Sequence, residues 1–241
     1  MNIKVRSLFY GAVAFIIQYS APLILAQSSF VNLGFESANV APLPLGQLGG
    51  SVSIINGFPG WTGYVGTNQT STVLHNQEYL DTASISILGP TYTAGPILGG
   101  QYTAFLQAGH DPNSGNVFDR ISSTLAQSGM IPVGSQSIQI TTDVNATSLQ
   151  VVFQGSLVPM FAYEQGANYR IFAGNISSFA GSFSELRISA LPVPFYNGFN
   201  RIYLDNIQFS TQSIPEPSTF ALTGIGALLF AVFYRRNARR K

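Results

Sequence analysis

The chain contains no cysteine. That absence excludes a thiol nucleophile, a cysteine-ligated metal and disulfide support, so any domain built from this sequence must be held by its core. Lysine is nearly as scarce. Between Gln27 and Ile214 there is none, and four arginines face nine acids. The formal charge of +1 therefore conceals an acidic body, net −5, between a leader of +2 and a C-terminal tail of +4. An acidic body without a basic cluster argues against nucleic-acid binding, which needs cations to displace counterions from phosphate. Histidine occurs twice, at His75 and His110, and neither lies in a metal or catalytic motif. No Gly-x-Ser-x-Gly elbow, HExxH pair or phosphate loop is present, so no catalytic residue is assigned. His110-Asp111 with Asp119 could be drawn as a metal or acid–base cluster. Yet "GHDPNSGN" is dense in turn formers, whose Asp and Asn side chains commonly serve the backbone. Glycoside hydrolysis would need two carboxyls across one cleft, and nine scattered acids single out no pair.

What the sequence does have lies first at its two ends. Residues 1–26 carry Lys4 and Arg6 before an apolar run from Leu8 to Ile17, the layout of a secretory signal peptide, with cleavage after Ala26 or Ser28. An uncleaved N-terminal anchor is the alternative. At the other end, Pro215-Glu216-Pro217 precedes 17 uncharged residues from Ser218 to Tyr234, then the basic cluster Arg235, Arg236, Arg239, Arg240 and Lys241. As a helix that run would span about 25 Å, a little under a hydrocarbon core of about 30 Å. The five terminal cations would stay cytoplasmic, which places the body outside.

This ordered tail resembles the PEP-CTERM sorting signal of Gram-negative bacteria. The resemblance implies recognition by exosortase, a membrane-bound cysteine protease, with export through the Sec translocon. It also implies a transient stay in the inner membrane through 218–234. Cleavage near the triplet would then release the protein to the cell surface or extracellular matrix. A plain C-terminal anchor is the alternative.

The body reads as β structure. "SQSIQITTDV" sets Ile138 and Ile140 on one face and Gln139 and Thr141 on the other, the two-residue period of a half-buried strand. Some 9 to 11 comparable runs, each bounded by Gly, Pro, Asn or Ser, can be marked in the sequence. Only 118–129 is ambiguous between strand and short helix. Many short strands with turn residues between them predict an all-β, jelly-roll sandwich over 27–213, with the sorting tail from 214 to 241. "ILGPTYTA" at 87–94 and "ILGGQYTA" at 97–104 repeat at a period of ten, which reads as a hairpin or a local duplication.

The order of "NLGFES" at 32–37, "FPGWTG" at 58–63, "ISSFAGSFSELRISAL" at 176–191 and "YLDNIQFS" at 203–210 resembles the galactose-binding-like jelly rolls of carbohydrate-binding modules. In that group, residues at the places of Glu36 and Asp205 often help hold a structural calcium beside the first and last strands. The resemblance thus implies Ca2+ there, a hard cation that takes six to eight oxygens. Trp61 and Tyr64 are candidate glycan contacts, since an exposed aromatic pair can stack on a sugar, with core filling as the other reading of Trp61. The expected function is that of a non-catalytic surface or matrix protein associating with exopolysaccharide. A dedicated carbohydrate-binding or adhesion module and a secreted glycoside hydrolase are the alternatives.

Overall fold

The computed structural model describes residues 29–214 apart from 117, 148 and 193–199. The signal peptide, the PEP triplet, the apolar run and the basic cluster lie outside the described residues.

Two sheets face each other. The larger runs in the order β1 (Gly50–Ser53), β4 (Thr72–His75), β5 (Ser84–Leu88), β6 (Thr103–His110), β15 (Asn200–Ser210), β9 (Ser137–Thr142), β13 (Arg170–Asn175) and β12 (Met160–Gln165), with β7 (Arg120–Ile121) on the end of β6. The smaller runs β11 (Ser156–Val158), β10 (Leu149–Phe153), β14 (Phe183–Ala190), β8 (Ser123–Met130), β2 (Thr62–Val65) and β3 (Asn68–Thr70). Apart from the parallel β4–β5 pair, the named strands pair antiparallel. The chain repeatedly crosses from one sheet to the other, which wraps it as a jelly roll, and the all-β sandwich expected from the sequence is what forms. Helix is confined, among the described residues, to one turn at Ile54–Gly57 and a 3₁₀ turn at Ser177–Phe179.

Period-two patterning builds the core. Ile138 and Ile140 of β9, Leu186 and Ile188 of β14, Val151 and Phe153 of β10, and Ile202 and Leu204 of β15 are fully buried between the sheets. Each such side chain contributes about 1.5–3 kcal/mol by leaving water. The ambiguous stretch settles as strand β8, because pairing with β14 on one side and β2 on the other outweighs any helical preference.

One departure from simple alternation positions the candidate site. β5 is buried at every position and β6 at all but its last, so these strands are covered on both faces. The second cover is the segment joining them. Tyr92, Ile97 and Leu98 pack on a small outer cluster of Leu88, Phe105 and Tyr203. The ten-residue echo lies on this connection: Ile87 and Leu88 end β5, whereas Thr103 and Ala104 of the second copy begin β6. The two copies therefore belong to one hairpin but occupy different parts of it.

Candidate functional site

Glu36 and Asp205, 169 positions apart in the sequence, meet at one cleft on the outer side of the larger sheet. Two local distortions bring them there. In the opening segment Phe35 adopts φ 59°, a strained choice for a bulky residue, and its ring is wholly buried against Phe58 and Trp61. Burial of that ring fixes the turn and leaves Glu36 facing outward. In β15 the register slips between Asp205 and Gln208, with Asn206 at φ 46°. The bulge sends Ile207 inward, its N–H donating to the Leu33 carbonyl at 2.9 Å, and keeps Asp205 at the cleft.

The segment 98–103 closes the site. Gln101 N–H donates to both oxygens of Glu36, at 3.0 and 2.9 Å, and Tyr102 N–H donates to Oε1 at 3.0 Å. Thr103 Oγ1 donates to Asp205 Oδ2 at 3.1 Å, and Asn206 N–H to Oδ1 at 2.6 Å. Gly100 is required twice over: its φ is +54°, and a Cβ there would lie 2.3 Å from Glu36 Oε1. A Cβ at Gly99 would fall 3.4 Å from Asp205 Oδ2, so the backbone runs directly over the two carboxyls. The cleft has a volume of about 450 Å³, and Thr141, Tyr169 and Ile171 form its far wall.

Its electrostatics are unbalanced. Asp205 is 2% exposed, and burial pushes its carboxyl up to about 7; the neighbouring Glu36 charge adds to the rise, while the bonds from Asn206, Thr103 and Gly99 oppose it. The ion pairs among the described residues are Arg120–Asp81, Arg187–Glu185 and Arg201–Glu78, so none compensates Glu36 or Asp205. Two carboxyls beside the Thr103 hydroxyl offer the oxygen ligands that a hard cation takes. The described residues hold no group of three or more His, Cys, Asp or Glu able to bind a metal, so further ligands would be carbonyls, hydroxyls or water.

A second, larger cleft of about 680 Å³ was not legible in the sequence. There Glu78 Oε1 accepts from both Tyr92 Oη and Tyr203 Oη, and Oε2 pairs with Arg201 at 3.3 Å. Burial, then the bond to Glu78, drives both phenols upward from their ordinary range. This cluster clamps the covering segment to the sheet, and a Cβ at Gly95 would lie 2.4 Å from Tyr203 Oη. Tyr92 sits where the repeat reads "TYTA", but nothing in the pattern ties it to Glu78.

The aromatic candidates part company. Trp61 is 4% exposed, stacked on Phe35, with its indole N–H donating to the Asn32 carbonyl at 3.1 Å. A buried indole offers no face to a sugar, so Trp61 takes the core-filling reading and not that of a glycan contact. Tyr64 is half-buried on the outer face of the smaller sheet, with the Arg187 guanidinium 4.5 Å above its ring. Asp111 and Asp119 serve their own turn: Asp111 Oδ1 accepts from Asn113 N–H at 2.9 Å, and the Asp119 carboxylate takes Ser114 Oγ and Asn116 Nδ2.

Among known proteins, the family profile of the PEP-CTERM protein-sorting motif matches residues 213–240. The chain thus carries the exosortase-directed export signal that its tail resembles. No curated protein matches in sequence. Among the solved structures that match are two at low similarity. One is the enzymatically active domain of bacteriophage CBA120 tailspike protein 4, at 13% identity and TM-score 0.35, aligned over 63% of this chain and 19% of that one. The other is the family 11 carbohydrate-binding module from Clostridium thermocellum, determined with a β-1,3-1,4-mixed-linked tetrasaccharide, at 10% identity and TM-score 0.31, over 66% and 93%. The chain spans about a fifth of the tailspike domain's length. Among the described residues no helix is long and apolar enough to cross a membrane, and the apolar run 218–234 lies beyond them.

Proposed function

We propose that this chain is a non-catalytic surface or matrix protein of a Gram-negative-type bacterium, delivered by exosortase processing, whose sandwich associates with extracellular polysaccharide. The observation that carries the delivery is the sorting motif at 213–240. In this reading the Sec translocon exports the chain, residues 218–234 hold it briefly in the inner membrane, and cleavage beside Pro215-Glu216-Pro217 frees the body.

The polysaccharide part is supported by two surfaces. The carboxyl pair Glu36–Asp205 lacks a compensating arginine and would hold a divalent cation, Ca2+ by its oxygen ligands. The outer face of the smaller sheet carries the half-buried Tyr64 beside the exposed Gln69, with the half-buried Gln150 further along, while Thr124 and Ser189 between them are buried and bonded to each other. Amides and a ring edge are groups that meet sugar hydroxyls and C–H faces. A dedicated carbohydrate-binding or adhesion module is the second reading, and that same face would be its ligand site.

A secreted glycoside hydrolase would use two carboxyls at one cleft, and Glu36 with Asp205 supply that arrangement. However, both oxygens of Glu36 are engaged by backbone N–H groups, which leaves it poorly placed to attack an anomeric carbon or take a proton from water.

The test has two arms. Intact mass of the protein secreted by its host should show loss of the arginine cluster. Recovery of the full-length tail in a host that has the protease would overturn the delivery reading. The secreted form should be retained by the host's own exopolysaccharide with Ca2+ and less so with chelator. Turnover of that polysaccharide would replace the binding reading with the hydrolase.

A further inference from the structure

We propose that one end of the sandwich is a bilayer-facing surface, built from the turn at 131–136 and the segment 176–183, and that it rests on the lipid headgroups while the tail is anchored. This builds on the reading of 218–234 as a membrane span.

The chain leaves the body at this end. Ser210 closes β15, where its carbonyl accepts from Gln136 N–H at 2.7 Å, and Ser137 Oγ donates to the Gln212 carbonyl at 2.8 Å. The body therefore holds the chain as far as Gln212. Five residues, Ser213 to Pro217, separate that point from the uncharged run that begins at Ser218. Fully extended they reach roughly 18 Å, and two of them are prolines. A tether of that length keeps the exit end beside the membrane. The other end of the body emerges here too, since Ser29 bridges to Met130 and Phe30 stacks on Phe209 at 5.1 Å.

The chemistry of this end fits that position. Residues 128–142, 171–184 and 206–214 contain no charged side chain. The opposite end carries Asp81, Asp111, Asp119 and Arg120 in and around the loop that follows β6. An acidic body thus turns its uncharged end toward anionic headgroups, which would repel the other one. The uncharged end also presents apolar tips. Pro132 and Gly134, the latter at φ +82°, frame a tight turn closed by Ser135 N–H on the Pro132 carbonyl at 3.2 Å, with Val133 at its apex 87% exposed. Phe183, 42% exposed, opens the neighbouring strand, and the Gly181 N–H to Ile131 carbonyl bond at 3.1 Å ties the two segments together. Single side chains of this kind bind lipid weakly alone, but a short tether raises their effective concentration enough to matter.

The test uses the full chain, whose lack of cysteine allows single labels. Val133→Cys, Asn113→Cys at the far end and Ala227→Cys in the tail each receive an environment-sensitive fluorophore. The proteins are reconstituted in phosphatidylethanolamine–phosphatidylglycerol vesicles containing a fraction of brominated lipid. Quenching at 227 reports tail insertion independently. The expected result is quenching at 133 several-fold stronger than at 113. Insertion at 227 with equal, weak quenching at 133 and 113 would overturn the surface and leave the span intact. No quenching at 227 would overturn both. Disulfide cross-linking of unlabelled Val133→Cys between copies, without lipid quenching, would overturn the bilayer as occupant in favour of a second copy.

Discussion

Two carboxyl sites flank the segment that joins β5 to β6, and they are finished differently. At Glu78 two tyrosine hydroxyls and an arginine surround the acid, so its charge is matched within the fold. At the other site the donors recorded to Asp205 and Glu36 are neutral, and among the described residues no arginine is paired with either. A matched acid works as a clamp. An unmatched pair differs, because the buried Asp205 beside the exposed Glu36 costs stability when charged until something compensates it.

The largest effect expected from this contrast is a pH dependence. Asp205 titrates near 3.8 in an unfolded chain and at about 7 in the fold, raised by burial and by Glu36. Below pH about 4 the group is protonated in both states and costs nothing. Between the two values the unfolded chain releases its proton while the folded one keeps it, so stability falls as pH rises. Above 7 the loss is complete, on the order of 4 kcal/mol. Chelator-treated protein should therefore become less stable from pH 4 to 7 in urea titrations. Asp205→Asn should flatten that slope, and Ca2+ should remove most of it if the pair holds the ion. A slope unchanged in Asp205→Asn would show that the pair is compensated after all.

Glu78→Gln probes the matched site. It replaces charge-assisted bonds to two phenols and an ion pair with neutral ones, which should cost about 2 kcal/mol. The loss should not depend on Ca2+. A calcium-dependent loss would erase the distinction between the two sites.

Gly100→Ala should cost about 1–2 kcal/mol, from the left-handed backbone alone, and should also weaken Ca2+ binding by displacing Glu36. The decisive readout is calorimetric titration of the variant, which should show lower affinity while circular dichroism remains that of the sandwich.

The sandwich itself was legible because its signal is local. Alternation at Ile138 and Ile140, or at Leu186 and Ile188, states which face each residue takes. The meeting of Glu36 with Asp205 was also expected, though through the family resemblance of the segments that carry them. What stayed hidden depended on contacts distant in sequence. Trp61 fills the core, one of the two readings its sequence allowed, but its packing on Phe35 is a contact that "PGWTG" does not state. The Glu78 clamp needs a loop, a hairpin connection and the last strand together, none of which marks the others.

The smallest effect separates acid density from an acid site. Asp111 and Asp119 lie in the most conspicuous polar loop of the sequence, yet Asp111 Oδ1 and both Asp119 oxygens accept from that loop's own N–H, hydroxyl and amide groups. Asp111→Ala removes one such turn bond, worth below about 1 kcal/mol at a solvent-facing position. It should lower the denaturation midpoint slightly and leave the Ca2+ titration unchanged, because the cation is expected where the buried Asp205 meets Glu36 without a matching arginine. A variant that lost calcium binding would move the site to this loop, and the Glu36–Asp205 pair would then be only a strained crossing of the first and last segments.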